Sequence, residues 1–283
     1  MKVTVVGASG FVGRHLVMAL GARGERVIAA SVRSDVGGAA QACDGADAVV
    51  VLAGESIAQR WTEAAKRRFW ESRVERTHAL IARFAQLAAP PNAYISASAT
   101  GYYPTSETAT YDESRPPGDG FLARLCVAWE AAADEATSSQ TRVAKIRTGL
   151  VLGTDGGTLK ALLPLFRLGL GGPIASGRQW YSWIHIDDLV GIYLAAIDGI
   201  GGVLNATAPH PVTNAEFTRA LASAVHRPAF LPVPAFAPRL ILGEGGDIAI
   251  LGQRVLPERT LANGYRFKFE TLDGALTDLL AKT

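Results

Sequence analysis

Proton chemistry is within reach of one short stretch, ISASATGYY (95–103), where Ser98 is followed four and five residues later by Tyr102 and Tyr103. A serine hydroxyl and a phenol at the mouth of one strand can orient a reacting oxygen and exchange a proton with it. A phenol near its ordinary pKa of about 10 needs a cation beside it to act as a base, and less help to act as a donor. Glu55 or Arg73 could tune it. The same residues also suit a polar turn with two core tyrosines. A second pattern opens the chain, MKVTVVGASGFVG, in which Gly7, Gly10 and Gly13 follow an apolar β-branched run. Gly7 permits a tight turn, Gly10 lets backbone approach a pyrophosphate, and Gly13 lets helix pack on strand. The helix N-terminus then meets the anion with free N–H groups, Ser9 lying within the loop.

Positioning these groups requires strands that end together. Glu25–Val32 reads as a second strand, and Arg33, twenty positions beyond Gly13, stands where dinucleotide folds usually place an acidic residue for the ribose. A cation there suits a 2′-phosphate, so NADP is favoured, while Asp35 nearby leaves NAD open. Residues 34–47 are too few for a full βαβ unit, so one edge strand is expected to be missing or vestigial. The next strand, Ala48–Ala53, ends in Leu52, Ala53 and Gly54, small enough for ribose and phosphates to lie against backbone. A long helix is predicted over Thr62–Leu87, followed by strands at 93–96 and 142–146 with a helix over Phe121–Glu135 between them. This alternation predicts an α/β fold, a doubly wound parallel sheet. Beyond it come helices at 158–170, 189–197 and 214–225, a proline-rich connection at 228–238, a short extended piece at 265–269 and a last helix. The expected division is a dinucleotide-binding domain over 1–165, completed by about 183–206, and a smaller α+β substrate lobe from 166–182 and 207–283.

Composition excludes several classes. The 283 residues are 48% hydrophobic and 19% charged, as in an ordinary globular protein, and a net charge of +2 gives no reason to expect nucleic acid or an anionic membrane as partner. No apolar window is long enough to span a bilayer, and no signal peptide is expected ahead of the first strand. Cys43 and Cys126 give neither metal spacing nor a disulfide framework, the histidines are scattered, and no metal is expected. Asp187 or Asp188 is expected to cap a helix. The expected setting is the cytoplasm, with a small-molecule substrate and a monomer or homodimer.

Several stretches together resemble the extended short-chain dehydrogenase/reductase superfamily: GASGFVG, LAGES, ISASATGYY, KIRTGLVLG and WIHIDDL, in its order and spacing. The closer resemblance is to its epimerase family branch, carried by LAGESIAQRW, GLGGPIASGRQWYSWIHIDDL and LGQRVLPERTLANGYRF. It covers nearly the whole chain and implies a Rossmann domain binding NADP, with a C-terminal lobe over the substrate. It implies that Gly7, Gly10, Phe11, Val12 and Gly13 hold the pyrophosphate and Arg33 the 2′-phosphate. Leu52, Ala53 and Gly54 would line the cofactor's path, Ser96 and Ala97 the nicotinamide side, and Ser98 would match the serine that bonds the reacting oxygen. Arg178, Trp180 and Trp183 fall where the lobes should face each other, and with Tyr181 they suit a flat or anionic substrate or a plain interface core.

The departures bear on the reaction. The superfamily's catalytic Tyr-x-x-x-Lys pair is replaced by Phe121 and Leu125 in GFLARLCVAWE, and the usual Asn on the preceding helix by Arg73 in SRVERT. A phenyl ring transfers no proton and an isobutyl group carries no charge. Two functions follow from the residues. One is an NADP(H)-dependent oxidoreductase acting on a small carbonyl, imine or sugar-nucleotide-like substrate, with a reductase easier to support than an epimerase. The other is an NADP(H)-binding regulatory protein without turnover.

Overall fold

A computed structural model describes residues 1–137 and 141–281. In chain order the elements begin β1 (Lys2–Val6), α1 (Phe11–Ala22), β2 (Arg26–Ala30), α2 (Val36–Cys43) and β3 (Ala48–Val51). Next come α3 (Glu63–Trp70), a π-helical turn (Glu71–Glu75), α4 (Arg76–Ile81), β4 (Ala93–Ala99), β5 (Thr110–Tyr111), α5 (Phe121–Asp134) and β6 (Arg142–Thr148). Then follow β7 (Leu150–Leu152), α6 (Gly157–Arg167), β8 (Trp180–Tyr181), β9 (Trp183–His185), α7 (Ile186–Asp198) and β10 (Gly202–Ala206). The chain closes with β11 (Val212–Thr213), α8 (Asn214–Ala224), α9 (Phe236–Leu242), α10 (Asp247–Ile250), β12 (Arg254–Val255), α11 (Glu258–Ala262) and α12 (Leu272–Ala281).

The central sheet is six-stranded in the order β10-β6-β4-β3-β1-β2, and every pairing in it is parallel. Strand alternation assigns its two faces. Val5, Val50, Ile95 and Ile146 pack with Leu16 of α1 and Leu189 of α7, in a cluster that continues to Leu221 of α8 and Leu276 of α12. Val6, Val49, Val51 and Tyr94 face the other way, onto α2, α4 and α5. Burial on both faces is why these strands read as unbroken apolar runs. Among the described residues the sheet ends at β2, because 34–47 supply only α2 before the chain returns to β3.

The C-terminal part is tied down by three two-stranded sheets, β11 with β8, β12 with β5, and β7 with β9. Several local expectations need correction here. The helix predicted over 62–87 is interrupted by the π-helical turn and ends at Ile81. Neither Asp187 nor Asp188 caps α7: the His185 ring Nδ1 accepts from the Asp187 backbone N–H at 3.0 Å. Asp188 is fully buried and accepts from the backbone N–H of Lys268 and Phe269 and from the Tyr265 hydroxyl, at 2.8–3.1 Å. The short segment at 265–269 is thus pinned by the Asp188 carboxylate rather than by a sheet ladder. The prolines near 228–238 do not exclude a helix throughout, since α9 starts at Phe236 and takes Pro238 in its first turn.

Candidate functional site

The strand ends align as register requires, Val6 beside Val51 and Val51 beside Ser96. The glycine loop leaves β1 at that edge. Gly7 has φ +92° and lies so close to the next strand's exit that a Cβ would come 2.9 Å from the Ala53 nitrogen. Gly13 is tighter: a Cβ there would lie 2.3 Å from the Gly7 carbonyl oxygen. Gly10 precedes the first turn of α1 and leaves its N–H groups facing outward beside exposed Ser9. The Phe11 ring is turned away and packs on a second glycine run, where a Cβ at Gly156 would come 2.3 Å from it. Only backbone remains at Phe11 for a ligand.

A cavity of about 190 Å³ sits at the C-terminal ends of these strands. It is smaller than the ~300–1,000 Å³ of pockets that enclose drug-sized ligands. Val12 and Leu52 line it from the glycine-loop side, Ala97, Ser98 and Ala99 from β4, and Thr148 from β6. Leu122, Leu125, Cys126 and Trp129 form the α5 wall. Phe121 is not part of that wall; its ring packs on Trp61 at 5.6 Å. The four-residue spacing that faces the cavity is thus Leu122 and Cys126, and neither register supplies a phenol or an ammonium.

Ser98 reaches the cavity from a buried polar network. Its hydroxyl donates to Glu130 Oε1 at 2.7 Å, and Arg147, its register partner on β6, binds both Glu130 oxygens at 2.7 and 2.8 Å. Arg147 also donates to the Tyr103 hydroxyl at 2.9 Å, and Tyr103 donates to Asn205 Oδ1 at 2.8 Å. This corrects the expectation for Tyr103. It is 1% exposed with its proton committed to Asn205, and burial pushes its pKa up to about 12 although Arg147 opposes the shift. Tyr102 lies with its ring 3.3 Å from the Arg147 guanidinium and does not line the cavity. Of the three proton-exchange candidates, only Ser98 faces the cavity.

Arg73 faces it as well, projected from the π-helical turn. Its guanidinium lies 5.3 Å from the Trp129 ring and against Gly54, where a Cβ would come 2.9 Å from Cζ. Gly54 is therefore small to admit Arg73. The other expected pocket residues stand elsewhere. Glu55 pairs with Arg33 at 3.1 Å and lies 3.8 Å from Arg68, at the β2 end of the site. Arg76 joins that group by donating to the Val32 carbonyl at 3.0 Å. Arg178 is exposed and paired with Glu107 at 2.9 Å, and Trp180 donates to the Glu107 carbonyl at 2.8 Å. Trp183 is fully buried, its indole N–H on the His210 carbonyl at 3.1 Å. These three hold the C-terminal part together and contribute nothing to the cavity wall. Ser96 is buried and donates to the Ala97 carbonyl at 3.0 Å.

Glu130, Arg147, Asn205 and Trp129 were not singled out by sequence reasoning. A signal existed for two of them: an arginine inside the strand KIRTG and a glutamate among the alanines of AWEAAA are buried-charge positions that need each other.

Cys126 and Cys43 are free and buried, and burial pushes both thiols up to about 12. Thiolate is the reactive form, so both should stay silent at pH 8 and gain reactivity only as pH rises toward that value. Titration with a chromogenic disulfide should read neither thiol in the native protein and both of the two after unfolding. A fast native thiol at pH 8 would contradict the closed α5 wall.

The model of the NAD dependent epimerase/dehydratase family matches residues 3–206, and that of a domain of unknown function matches 233–279. The chain belongs to the NAD dependent epimerase/dehydratase family. Human epimerase family protein SDR39U1 is 41% identical over 294 residues, covering 99% of this chain and 100% of the relative. A chloroplastic homologue from Arabidopsis thaliana is 39% identical over 302 residues, covering 99% and 87%. The crystal structure of the human protein with NADPH superposes with a TM-score of 0.94 at 38% identity, covering 100% of both chains. A UDP-glucose 4-epimerase from Thermus thermophilus in complex with NAD, 19% identical with a TM-score of 0.78 over 99% of this chain and 98% of that one, shares the fold. Among the described residues no helix is long and apolar enough to cross a membrane, and no three His, Cys, Asp or Glu side chains cluster as metal ligands.

Proposed function

We propose that the chain is an NADP(H)-binding oxidoreductase of the atypical short-chain type, reducing a small carbonyl, imine or sugar-nucleotide-like substrate. The observation that carries the cofactor half is the cationic end of β2. Arg33 is 79% exposed there, steadied by Glu55, with Arg68 and Arg76 beside it. A 2′-phosphate would be received there and an acidic ribose clamp would repel it. The NADPH complex of the human relative supports the same choice. The glycine cradle fits a pyrophosphate, since side chains at Gly7 and Gly13 would collide with backbone. Bound NADPH supplies a hydride. The chain's own part would be to hold the pyrophosphate on the α1 N-terminus, to line the nicotinamide with Val12 and Ala97, and to present Ser98 and Arg73 to the substrate. With no Tyr and Lys on the α5 wall, reduction is easier to support than epimerisation.

A second reading rests on that same wall. Leu122, Leu125 and a neutral Cys126 supply no proton, which suits a cofactor-binding regulator without turnover.

Two measurements test these readings. Arg33→Ala should weaken NADPH binding by about 10–100-fold, the worth of a charge-assisted contact, and leave NADH nearly unchanged. Equal losses for both nucleotides would sink the assignment. NADPH oxidation against a panel of aldehydes, ketones and imines tests turnover. Tight NADPH binding with no consumption on any of them favours the regulator.

A further inference from the structure

Several arginines of this protein are matched by carboxylates: Arg33 with Glu55, Arg76 with Glu71, Arg147 with Glu130, Arg178 with Glu107. Arg73 is different. Among the described residues no carboxylate reaches its guanidinium, and its one hydrogen bond is a long 3.4 Å contact to the neighbouring Ser72 hydroxyl. Glu55 is the carboxylate it feels, and Arg33 and Arg68 already occupy that group. Burial lowers the Arg73 pKa, as expected of a cation stripped of water without a counter-ion. A desolvated charge without a partner is costly and persists where a ligand completes it.

A second, independent donor lies in the same wall. Trp129, which carries the Arg73 guanidinium over its ring, has a buried indole N–H with no acceptor. Ser98 on β4 takes no part in seating an anion, because its hydrogen is spent on Glu130 and its oxygen offers the cavity only lone pairs. Most of the remaining lining is apolar, Ile57, Leu122, Leu125 and Leu189 among it, with Thr148 and Tyr193 beside them.

We propose that Arg73, with Trp129 beside it, seats the carboxylate of the substrate, and that the substrate class is a small, largely apolar carboxylic acid. This deepens the oxidoreductase reading and rests on it. A cofactor phosphate shares the anionic oxygens but fits this place less well. The phosphates already have the α1 N-terminus and the glycine loop, and a multiply charged group would meet four aliphatic side chains here. A monoanion on a hydrocarbon body matches one cation in an apolar box.

Calorimetric titration of the NADPH-loaded protein with phenylacetate and with phenylacetamide tests this without turnover. The carboxylate should bind at least about tenfold tighter than its amide, as a charge-assisted contact requires. Arg73→Met should erase the preference, and Arg73→Lys should keep part of it. NADPH binding by each variant reports that it is folded. Equal binding of acid and amide, or binding of neither, overturns the proposal while leaving the cofactor assignment standing. A loss of NADPH affinity in Arg73→Met that exceeds the loss of carboxylate preference also overturns it, since Arg73 would then be a phosphate ligand. Failure of the wild-type protein to bind NADPH at all strikes the underlying reading instead.

Discussion

Replacing Glu130 with Ala should lower the unfolding free energy by about 3–5 kcal/mol, the usual cost of leaving one member of a buried ion pair alone. Glu130 is 6% exposed and Arg147 3%, so neither charge has water to fall back on. The pair is bidentate, which fixes its geometry as well as its energy. Removing the carboxylate strands the guanidinium beneath the Tyr102 ring and releases the Ser98 hydroxyl from its acceptor. The matched double variant, Glu130→Leu with Arg147→Met, should recover most of the loss, because apolar replacement of both partners removes the unpaired charge. Denaturant unfolding of the two single variants and the double variant gives the coupling directly. A single-variant loss below about 1 kcal/mol would put the pair in the class of exposed ion pairs and refute the buried network. The same measurement bears on function. With Glu130 gone, Ser98 can turn its hydrogen toward the cavity, so a ligand that binds there through a donor should lose affinity and one that binds through an acceptor should gain it.

That network also marks where sequence reasoning stops. The β1–turn–α1 unit was legible because each of its constraints acts within a few residues: an apolar run, a turn that needs φ above zero, a helix that must touch its own strand. The missing edge strand was legible from length alone. By contrast, Ser98 meets Glu130 32 residues away, and Tyr103 meets Asn205 across 102. Those contacts depend on sheet register and on which face of α5 turns inward, and no local period encodes either. Arg73 shows the same limit at shorter range. Its position in the chain was readable, but the π-helical turn that aims it at the cavity leaves no mark in the apolar spacing. In the C-terminal part, two-residue strands pair across long separations, as Arg254 does with Thr110, too short to show alternation. Arg178, Trp180 and Trp183 looked like pocket residues for that reason. Arginine among aromatics has the same composition in a binding site and in a seam between elements.

Gly13→Ala should weaken NADPH binding by about 100-fold or more, which is about 2.7 kcal/mol. The added Cβ would lie 2.3 Å from the Gly7 carbonyl oxygen and 2.9 Å from two Ala8 backbone atoms. All three are main chain, so no rotamer change relieves the contact. The first turn of α1 must instead withdraw from the loop, and its free N–H groups leave the pyrophosphate together. Overpacking of this kind also costs about 1–3 kcal/mol of stability, so a binding loss needs a control on the same helix. Gly21 supplies it, being inside α1 with nothing within 4 Å of where an added methyl group would sit. Gly21→Ala should stabilise the protein by up to about 1 kcal/mol through helix propensity and leave NADPH binding unchanged. Titration of both variants against NADPH, alongside denaturant unfolding, separates the two effects. Retention of wild-type affinity in Gly13→Ala would mean that the cofactor does not use the α1 N-terminus, and the dinucleotide reading of the opening motif would fall with it.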